Sequence, residues 1–520
     1  MRNMSEELIE LPTGWVWTAL EELLRHKNAL TYGILKPGDY VSDGVPMLRI
    51  MDIGDGKLND TQLFRVSKAL DEEYQRTSLE TGDVVLAVMA TIGRTMVIPK
   101  SLQGANVNRA LAVLKLSHLV TPEFICWSLR SPYFQKIFID NQLGTAQKRI
   151  NLAELRKFSV ALPPLNEQRC IVAKIEALKA RSQRVKEELE AIAPLLDQFR
   201  QSVLAAAFRG DLTGDWRQKN PDIEPVTRVV ESLREKRFSQ ARTPAQLQKL
   251  NEIYSSQEEE DSNLLPESWR YIALEKLCDS FQYGTSAKSL ASGKVPVLRM
   301  GNIQNGEIDG SDLVYTSDED EIEKYKLKIG DVLFNRTNSP ELVGKTGIYR
   351  GEHQAIFAGY LIKINNTQEL DSEYLNYCLN TGYAKEYCWR VKTDGVSQSN
   401  INAQKLGKFE LPFCSLEEQR EVVRRINSLF LVANRLKQNY KEAKAYLDQL
   451  DRSILAKAFR GELVPQDPND EPASVLLERI RAEREKLDTK KKAKGKTEKK
   501  SRKAKPEPVE PEQLSLPGFE

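Results

Sequence analysis

Two long stretches of the chain carry apolar side chains at alternating intervals of four and three residues. The first seam consists of Ile171, Ile175, Leu178, Val185, Leu189, Ile192, Leu196, Phe199 and Val203, with Ser182 at the position between Leu178 and Val185. The second, 251 residues later, consists of Val422, Ile426, Leu429, Leu436, Tyr440, Leu447, Leu450 and Ile454, with Ala433 and Ala443 at the two intervening positions. A seam of period 3.5 predicts two coiled-coil helices, which most simply pair with each other. Pro194 interrupts the first, and because its seam continues we expect a kink there.

The segment before each seam alternates short apolar runs with turn sequences. VPMLRI, DVVLAVM and LAVLKL precede the first seam, and VPVLRM, DVLFN and YLIKI precede the second. Turn sequences such as IGDG and KIGD separate them, and helical patterns follow. Each segment therefore predicts a compact α+β domain.

The two halves are copies of one unit. GDVV at 82–85 returns as GDVL at 330–333, and SVLAAAFRGDL at 202–212 returns as SILAKAFRGEL at 453–463. The sequences between these matching segments differ strongly. Because the matches extend from the first domain through its long helix, a whole domain and its long helix have been duplicated. The predicted boundaries are an α+β domain at 1–163, a long helix at 164–210, a helical and charged linker at 211–262, a second α+β domain at 263–414, a second long helix at 415–461, and a short helix with a disordered basic tail at 462–520.

The net charge of +2 conceals an uneven distribution. Residues 479–505 contain 14 Lys or Arg against 4 acids, so the rest of the chain is mildly acidic. Any nucleic-acid binding by the folded part must therefore use local basic patches, to which the tail adds sequence-independent attraction.

The motifs of several enzyme classes are missing. Three histidines and six cysteines without CxxC spacing argue against a metal site or a histidine-based triad. SPELVGKT at 339–346 has Ser339 where a phosphate-binding loop needs glycine, and neither a GxGxxG nor an Asn/Asp-Pro-Pro-aromatic motif occurs. We therefore predict no catalytic residue and no metal. The acidic N-terminus and the lack of an 18-residue apolar run predict a cytoplasmic protein without membrane contact.

The run GTAQKRINLAELRKFSVALPPLNEQR, its second copy and the FRGDL and FRGEL sequences resemble the specificity subunits of type I restriction-modification enzymes. The resemblance extends through residue 463, although the second copy has LPFCSLEEQR in place of LPPLNEQR. It implies two target-recognition domains, similar in fold to those of adenine-N6 methyltransferases, separated by antiparallel long helices in a pseudo-twofold arrangement. It also implies two methylating subunits that bind S-adenosylmethionine and two restricting subunits that use ATP and Mg²⁺. This chain would then hold no cofactor.

Such a subunit must read base edges with side chains, for which arginine suits guanine and Asn or Gln suits adenine. The candidates lie in polar, turn-rich segments: Thr91, Arg94, Asn108, Arg109, Gln147, Lys148 and Arg149 in the first copy, and Asn335, Arg336, Asn338, Lys345, Gln398, Ser399 and Asn400 in the second. Arg49 and Arg299 occupy the same position in both copies, which suits a phosphate contact or a structural role better than base readout.

The length of the seam suggests that the long helices set the distance between two DNA half-sites. Its 32 residues from Ile171 to Val203 span roughly 48 Å at about 1.5 Å per residue, on the order of 14 base pairs of double-stranded DNA. We expect the two half-sites to be separated by unread bases.

Other interpretations stay open. A coiled-coil adaptor without a DNA role would explain the helices but not the paired, divergent domains. A self-contained methylating or cleaving enzyme is a second alternative. The final QLSLPGFE, with Leu514, Leu516 and Phe519, resembles imperfectly the peptide that docks on bacterial sliding clamps.

Overall fold

The computed structural model describes residues 10–54, 56–59, 62–144, 148–255, 265–351 and 353–502, with side chains up to Leu487. The chain forms two compact units. Unit 1 contains residues 1–188 and 443–520, and unit 2 contains residues 189–442. Each unit therefore combines one α+β domain with parts of both long helical regions.

Unit 1 begins with short strands and helices that lead into a long helix. The strands are β1 (Val16–Ala19), β2 (Leu30–Tyr32), β3 (Val45–Leu48), β4 (Phe64–Val66), β5 (Val84–Ala87), β6 (Thr95–Val97), β7 (Asn106–Val107), β8 (Leu111–Leu114) and β9 (Ser159–Leu162). The helices are α1 (Lys68–Glu73), α2 (Pro122–Leu129), α3 (Pro132–Asp140), α4 (Leu152–Leu155) and α5 (Leu165–Glu190).

Among its described residues, three small sheets build the domain of unit 1. Their strand orders are β2-β8-β5-β6, β4-β3-β7 and β1-β9. Strand β5 is buried along its whole length because alternate residues face two cores: Val84 and Leu86 face the core beside α2 and α5, and Val85 and Ala87 face a second core. These buried strands fix the turns at their ends.

Unit 2 repeats this order of elements. Its helices are α6 (Ile192–Phe208), α7 (Gly214–Lys219), α8 (Val226–Gln240), α9 (Pro244–Ser255), α10 (Leu274–Leu277), α11 (Glu319–Tyr325), α12 (Ser372–Leu379), α13 (Gly382–Val391), α14 (Ala403–Gly407) and α15 (Leu416–Ala458), the last of which continues into unit 1. Its strands are β10 (Arg270–Ala273), β11 (Cys278–Tyr283), β12 (Val295–Leu298), β13 (Ile303–Gln304), β14 (Gly306–Ile308), β15 (Val314–Thr316), β16 (Val332–Asn335), β17 (Thr337–Asn338), β18 (Thr346–Ile348), β19 (Ile356–Phe357), β20 (Leu361–Asn366), β21 (Thr393–Asp394), β22 (Ser399–Asn400) and β23 (Glu410–Phe413).

The main sheet of unit 2 has the strand order β11-β20-β16-β18-β14-β13. Smaller sheets, β15-β12-β19, β10-β23 and β17-β22-β21, complete the domain. The third of these joins the strand after β16 to a hairpin after α13. The linker that the sequence places at 211–262 contributes α8 and α9, while residues 256–262 lie outside the described residues.

The long helices pair in opposite directions within each unit. In unit 1, Lys179 contacts Asp451 at 3.0 Å, and Lys186, one heptad later, contacts Asp448 at 2.8 Å. In unit 2, the guanidinium of Arg200 lies 4.8 Å from the Phe430 ring. The antiparallel pairing of the described helices thus agrees with the expectation. The first long helix is interrupted at Ala191, where the Pro194 ring would meet the carbonyl of residue 190.

The seam is well packed only near the globular domains. Most of its residues next to the domains are buried, and those further along are half-buried: Ile171, Ile175, Leu196, Val203, Val422, Ile426 and Ile454 are buried, and Leu178, Leu189, Ile192, Leu429, Tyr440 and Leu447 are half-buried. Four seam residues are instead exposed, namely Val185, Phe199, Leu436 and Leu450. The sequence therefore overestimated seam burial, because no other element of the same unit covers these positions within the described residues.

A buried glutamate at the start of each long helix, Glu167 or Glu418, connects segments of its unit that are distant in sequence. In unit 2, Glu418 accepts hydrogen bonds from Arg217 Nη1 at 2.6 Å and Thr213 Oγ1 at 2.7 Å, both beyond the FRGDL sequence. In unit 1, Glu167 accepts from Trp15 Nε1 at 2.9 Å and from Gln466 Nε2 at 3.2 Å. Through these contacts, the segment that follows FRGDL or FRGEL is joined to the start of a long helix in the same unit.

The last described helix, α16 (Ala473–Arg502), belongs to unit 1. Ala473, Leu476, Leu477 and Ile480 are buried in its main core. The helix extends beyond Lys486, where the sequence predicted a disordered tail, since Lys, Ala and Glu favour helix.

Candidate nucleic-acid interface

Three turns of unit 1 lie side by side at the end of strand β5. Val88 N donates to Ala110 O at 2.9 Å, and Ile150 N donates to Val88 O at 2.9 Å. Ala90 N donates to Lys148 O at 3.3 Å, which adds the hairpin after α3. Segments distant in sequence, at 88–94, 108–110 and 148–150, thus form one surface.

Unit 2 has the same backbone frame. Arg336 N donates to Tyr360 O at 3.0 Å, and Ile401 N donates to Arg336 O at 2.9 Å. By these bonds position 336 corresponds to Val88, and position 400 corresponds to Arg149. Thr337 pairs with Asn400 just as Met89 bridges to Arg149.

A Tyr-Gly dipeptide supports the frame in both units. A Cβ on Gly33 would lie 2.1 Å from Val107 O, and one on Gly284 would lie 2.2 Å from Phe357 O. Only glycine permits these backbone approaches. The preceding tyrosines anchor the next segment: Tyr32 Oη accepts from Leu152 N at 3.2 Å, and Tyr283 Oη accepts from Ala403 N at 2.9 Å.

The surface of unit 1 is basic and open. Its exposed candidates are Thr91, Arg94, Arg109, Lys148 and Arg149. Arg94 Nη1 donates to Ile53 O at 3.3 Å, and Asn108 is half-buried, with Oδ1 accepting from Ala110 N at 3.2 Å. Gln147 lies outside the described residues. The structure thus brings the described candidates to one end of the sheet with several donors facing solvent.

The surface of unit 2 is more internally bonded. Asn400 Nδ2 donates to Thr337 Oγ1 at 2.8 Å, Asn338 Oδ1 accepts from Ser339 N at 2.8 Å, and Lys345 Nζ donates to Gln304 Oε1 at 3.3 Å. Gln398 is exposed on the hairpin.

Two candidates of unit 2 cannot face DNA directly in this conformation. Asn335 is fully buried, and neither atom of its amide has a hydrogen-bond partner among the described residues. Ser399 is also buried, and its hydroxyl hydrogen-bonds the Asp394 carboxylate. Both are therefore wrong as direct readers here, since β16 and β22 turn these side chains inward.

The hairpin of unit 2 is braced by charge. Lys392 Nζ lies 2.5 Å from Asp394 Oδ1, and this contact, with the Ser399 hydroxyl, lowers the pKa of Asp394 below its usual value. Lys405 Nζ donates to Thr393 Oγ1 at 2.7 Å on the other side of the same strand. The braced hairpin presents Val396 fully to solvent at its tip.

Arg49 and Arg299 are used inside the protein. Arg49 Nε and Nη2 donate to Asp52 at 3.1 and 3.0 Å, while Arg299 Nη2 donates to Asp312 Oδ2 at 3.0 Å. Each arginine also precedes a short helical turn whose third residue accepts from the arginine backbone N at 2.8 Å. These contacts favour the structural role of the two that the sequence left open.

The tyrosines Tyr32 and Tyr283 were missed by the sequence analysis. TYG at 31–33 and QYG at 282–284 recur 251 residues apart, and this repeat is the signal that identifies them. Tyr360, half exposed in the turn beside Arg336, was also missed, and the divergent sequence there gives no comparable signal.

The described residues offer no metal-binding group of three or more His, Cys, Asp or Glu side chains. Burial raises the pKa of Cys126 to about 11 and that of Cys388 to about 12, which keeps these thiols protonated and poorly nucleophilic. Among the described residues, no helix is long and apolar enough to cross a membrane.

A family model described as the type I restriction modification DNA specificity domain matches residues 13–192 and 266–444, well over half of the chain. The chain belongs to this family. The two matched ranges contain the two backbone frames, so both surfaces lie within DNA specificity domains. The specificity subunits of type I systems are non-catalytic recognition subunits.

Relatives and solved structures cover most of the chain. The EcoKI specificity subunit of Escherichia coli (strain K12) is 28% identical over 494 residues, covering 91% of this chain and 96% of that protein. The StySPI specificity subunit of Salmonella potsdam is 26% identical, with the same coverage. The HsdS subunit from Thermoanaerobacter tengcongensis has a TM-score of 0.50 at 21% identity, covering 88% of this chain and 100% of that one. A chain from a study of type I R-M complex assembly reaches 0.61 at 20% identity, with the same coverage. These structures support the fold.

Proposed function

We propose that this specificity subunit reads a bipartite DNA target, one half-site per unit, and directs adenine methylation and restriction by partner subunits. The observation that carries the proposal is the occurrence of one backbone frame in both units with different polar side chains on it. If the backbone frame is the same and the side chains on it differ, the two units would approach DNA in the same way but read different base sequences. Arginines on these surfaces would bind guanine, and an exposed amide such as that of Gln398 would bind adenine.

The partners would supply the chemistry. Two methylating subunits would hold S-adenosylmethionine, and two restricting subunits would use ATP and Mg²⁺, with the complex acting in the cytoplasm. In unit 2, exposed apolar residues on α15, namely Leu431, Val432 and Leu436, could pack against a helix of a partner. A methyl-transfer assay of the purified chain alone should give no product, and activity without partners would favour the self-contained enzyme.

The long helices would set the gap between half-sites. Inserting one heptad into each helix should lengthen the preferred gap by about 10 Å, roughly three base pairs. The assay is selection from duplexes with randomised half-sites and variable spacing. An unchanged gap would contradict the proposal that the long helices set the spacing. If the protein selected no sequence at all, the result would favour a coiled-coil adaptor without a DNA role.

The C-terminal peptide lies outside the described residues. If Leu514, Leu516 and Phe519 dock on a sliding clamp, deletion of residues 510–520 should abolish pull-down of the clamp.

A further inference from the structure

The guanidinium of Arg336 is held mainly by an aromatic ring. Its carbon Cζ lies 4.8 Å from the centroid of the Tyr283 ring. Nη1 and Nη2 donate to Gly359 O and Asn400 Oδ1, both at 3.3 Å, at the long end of the range for hydrogen bonds. Nε is buried without a hydrogen-bond partner among the described residues. The polar contacts are weak, so the ring is the main support.

The Tyr283 ring is itself fixed independently of Arg336. Its backbone pairs with Ile362 at the end of β11, and its hydroxyl accepts from Ala403 N at 2.9 Å. A ring held at both ends is a rigid platform. A cation over such a ring is attracted by its π electrons, and the attraction is stronger where water is excluded.

Asn400 orients the same guanidinium from the side. Its Nδ2 donates to Thr337 Oγ1 at 2.8 Å, which leaves Oδ1 directed at Arg336. Guanine offers two acceptors, O6 and N7, that match two N–H groups of arginine. Exchanging the two long hydrogen bonds of Arg336 for hydrogen bonds to guanine would cost little free energy. The Tyr283 ring would keep the arginine side chain in place during this exchange.

Unit 1 provides the contrast. Tyr32 has the same anchoring, since its hydroxyl donates to Ile150 O and accepts from Leu152 N, both at 3.2 Å. The position that corresponds to Arg336 is Val88, which carries no charge. The ring serves there as an anchor, and unit 1 instead has an arginine on the hairpin, Arg149, at the position that corresponds to Asn400.

We propose that Tyr283 is a positioning residue that holds Arg336 ready to read a guanine in the second half-site. This inference rests on the proposed function. Pre-ordering the long arginine side chain removes part of the entropy cost of binding, and it directs the guanidinium to one base pair.

The test uses the full-length chain co-purified with its methylating subunit and duplexes randomised in both half-sites. Tyr283→Leu should lower the preference for guanine at one position of the second half-site by about two- to fivefold, and leave the first half-site unchanged. Tyr283→Phe, which keeps the ring and its backbone pairing but loses the hydrogen bond from Ala403 N, should retain most of the preference. Tyr32→Leu is the matched control and should leave the second half-site unchanged.

Two further variants separate positioning from structure. In an Arg336→Ala background, Tyr283→Leu should cause no additional loss of guanine preference. Arg336→Lys, which keeps the charge without the planar fork, should lose the preference while retaining the salt dependence of binding. An additional loss in the first case, retention of the preference with lysine, or equal losses for Phe and Leu would each overturn the inference. Failure of the wild type to select any two-part sequence would instead overturn the proposed function.

Discussion

The two recognition surfaces share a backbone frame but place their arginines differently. In unit 1, Arg149 is exposed on the hairpin, beside a valine on the neighbouring strand. In unit 2, Arg336 lies between β16 and β17 with its guanidinium over the Tyr283 ring, and it contacts Asn400 on the hairpin. The frame depends on buried strands and two glycines, so it tolerates exchange of the polar side chains it carries. Under the proposed function, the two units would therefore read different sequences without a change of fold.

The largest predicted effect comes from breaking the shared frame. Gly33→Ala and Gly284→Ala should each lower the free energy of unfolding by about 3 kcal/mol or more, since the new Cβ would overlap backbone atoms that cannot move aside. Thermal unfolding of each variant is the measurement. Equal losses would confirm that the two units depend on the same approach, whereas a neutral variant would show that its frame is not required.

A smaller predicted loss of stability distinguishes the glutamates at the starts of the two long helices, Glu418 in unit 2 and Glu167 in unit 1. Arg217→Ala should destabilise the protein by about 3 kcal/mol, because it leaves the buried Glu418 carboxylate without its cation. Gln466→Ala, the matched change at Glu167 in unit 1, should cost about 1 kcal/mol, as it removes a neutral hydrogen-bond donor. Denaturant unfolding measures both, and similar values would contradict this difference.

The smallest effect is an acid sensitivity specific to unit 1. Hydrogen bonds from Arg25 and then Lys115 hold the pKa of Glu80 at about 2, whereas the aligned position in unit 2 is Lys328. A lowered carboxyl pKa adds stability above pH 4.5 that is lost as the pH falls toward 2. Because Glu80 is half exposed, screening limits the effect to about 0.5 kcal/mol. Unfolding of Glu80→Gln between pH 2 and 7 should show a weaker acid loss than wild type, and an identical pH profile would contradict the assignment.

Periodicity and duplication were sufficient to predict the α+β domains and the long paired helices. The 3.5-residue seam reports which face of a helix is apolar, but not how far a partner covers it, so the exposure of Leu436 and Leu450 was not predictable. The internal repeat located the polar turns that meet on each surface. It did not show that Asn335 turns inward, because that depends on the orientation of strand β16, or that Arg49 bonds Asp52, because this local pair forms only in the helical turn that follows β3.

The central claim is that each unit reads its own half-site. One selection experiment on duplexes randomised in two blocks, comparing wild type with Arg149→Ala and Arg336→Ala, tests it most directly. We predict two blocks of base preference for the wild type, and a loss of about 1–3 kcal/mol of discrimination at one position of one block for each variant, in different blocks. A single contiguous block, or the same block weakened by both variants, would contradict the account.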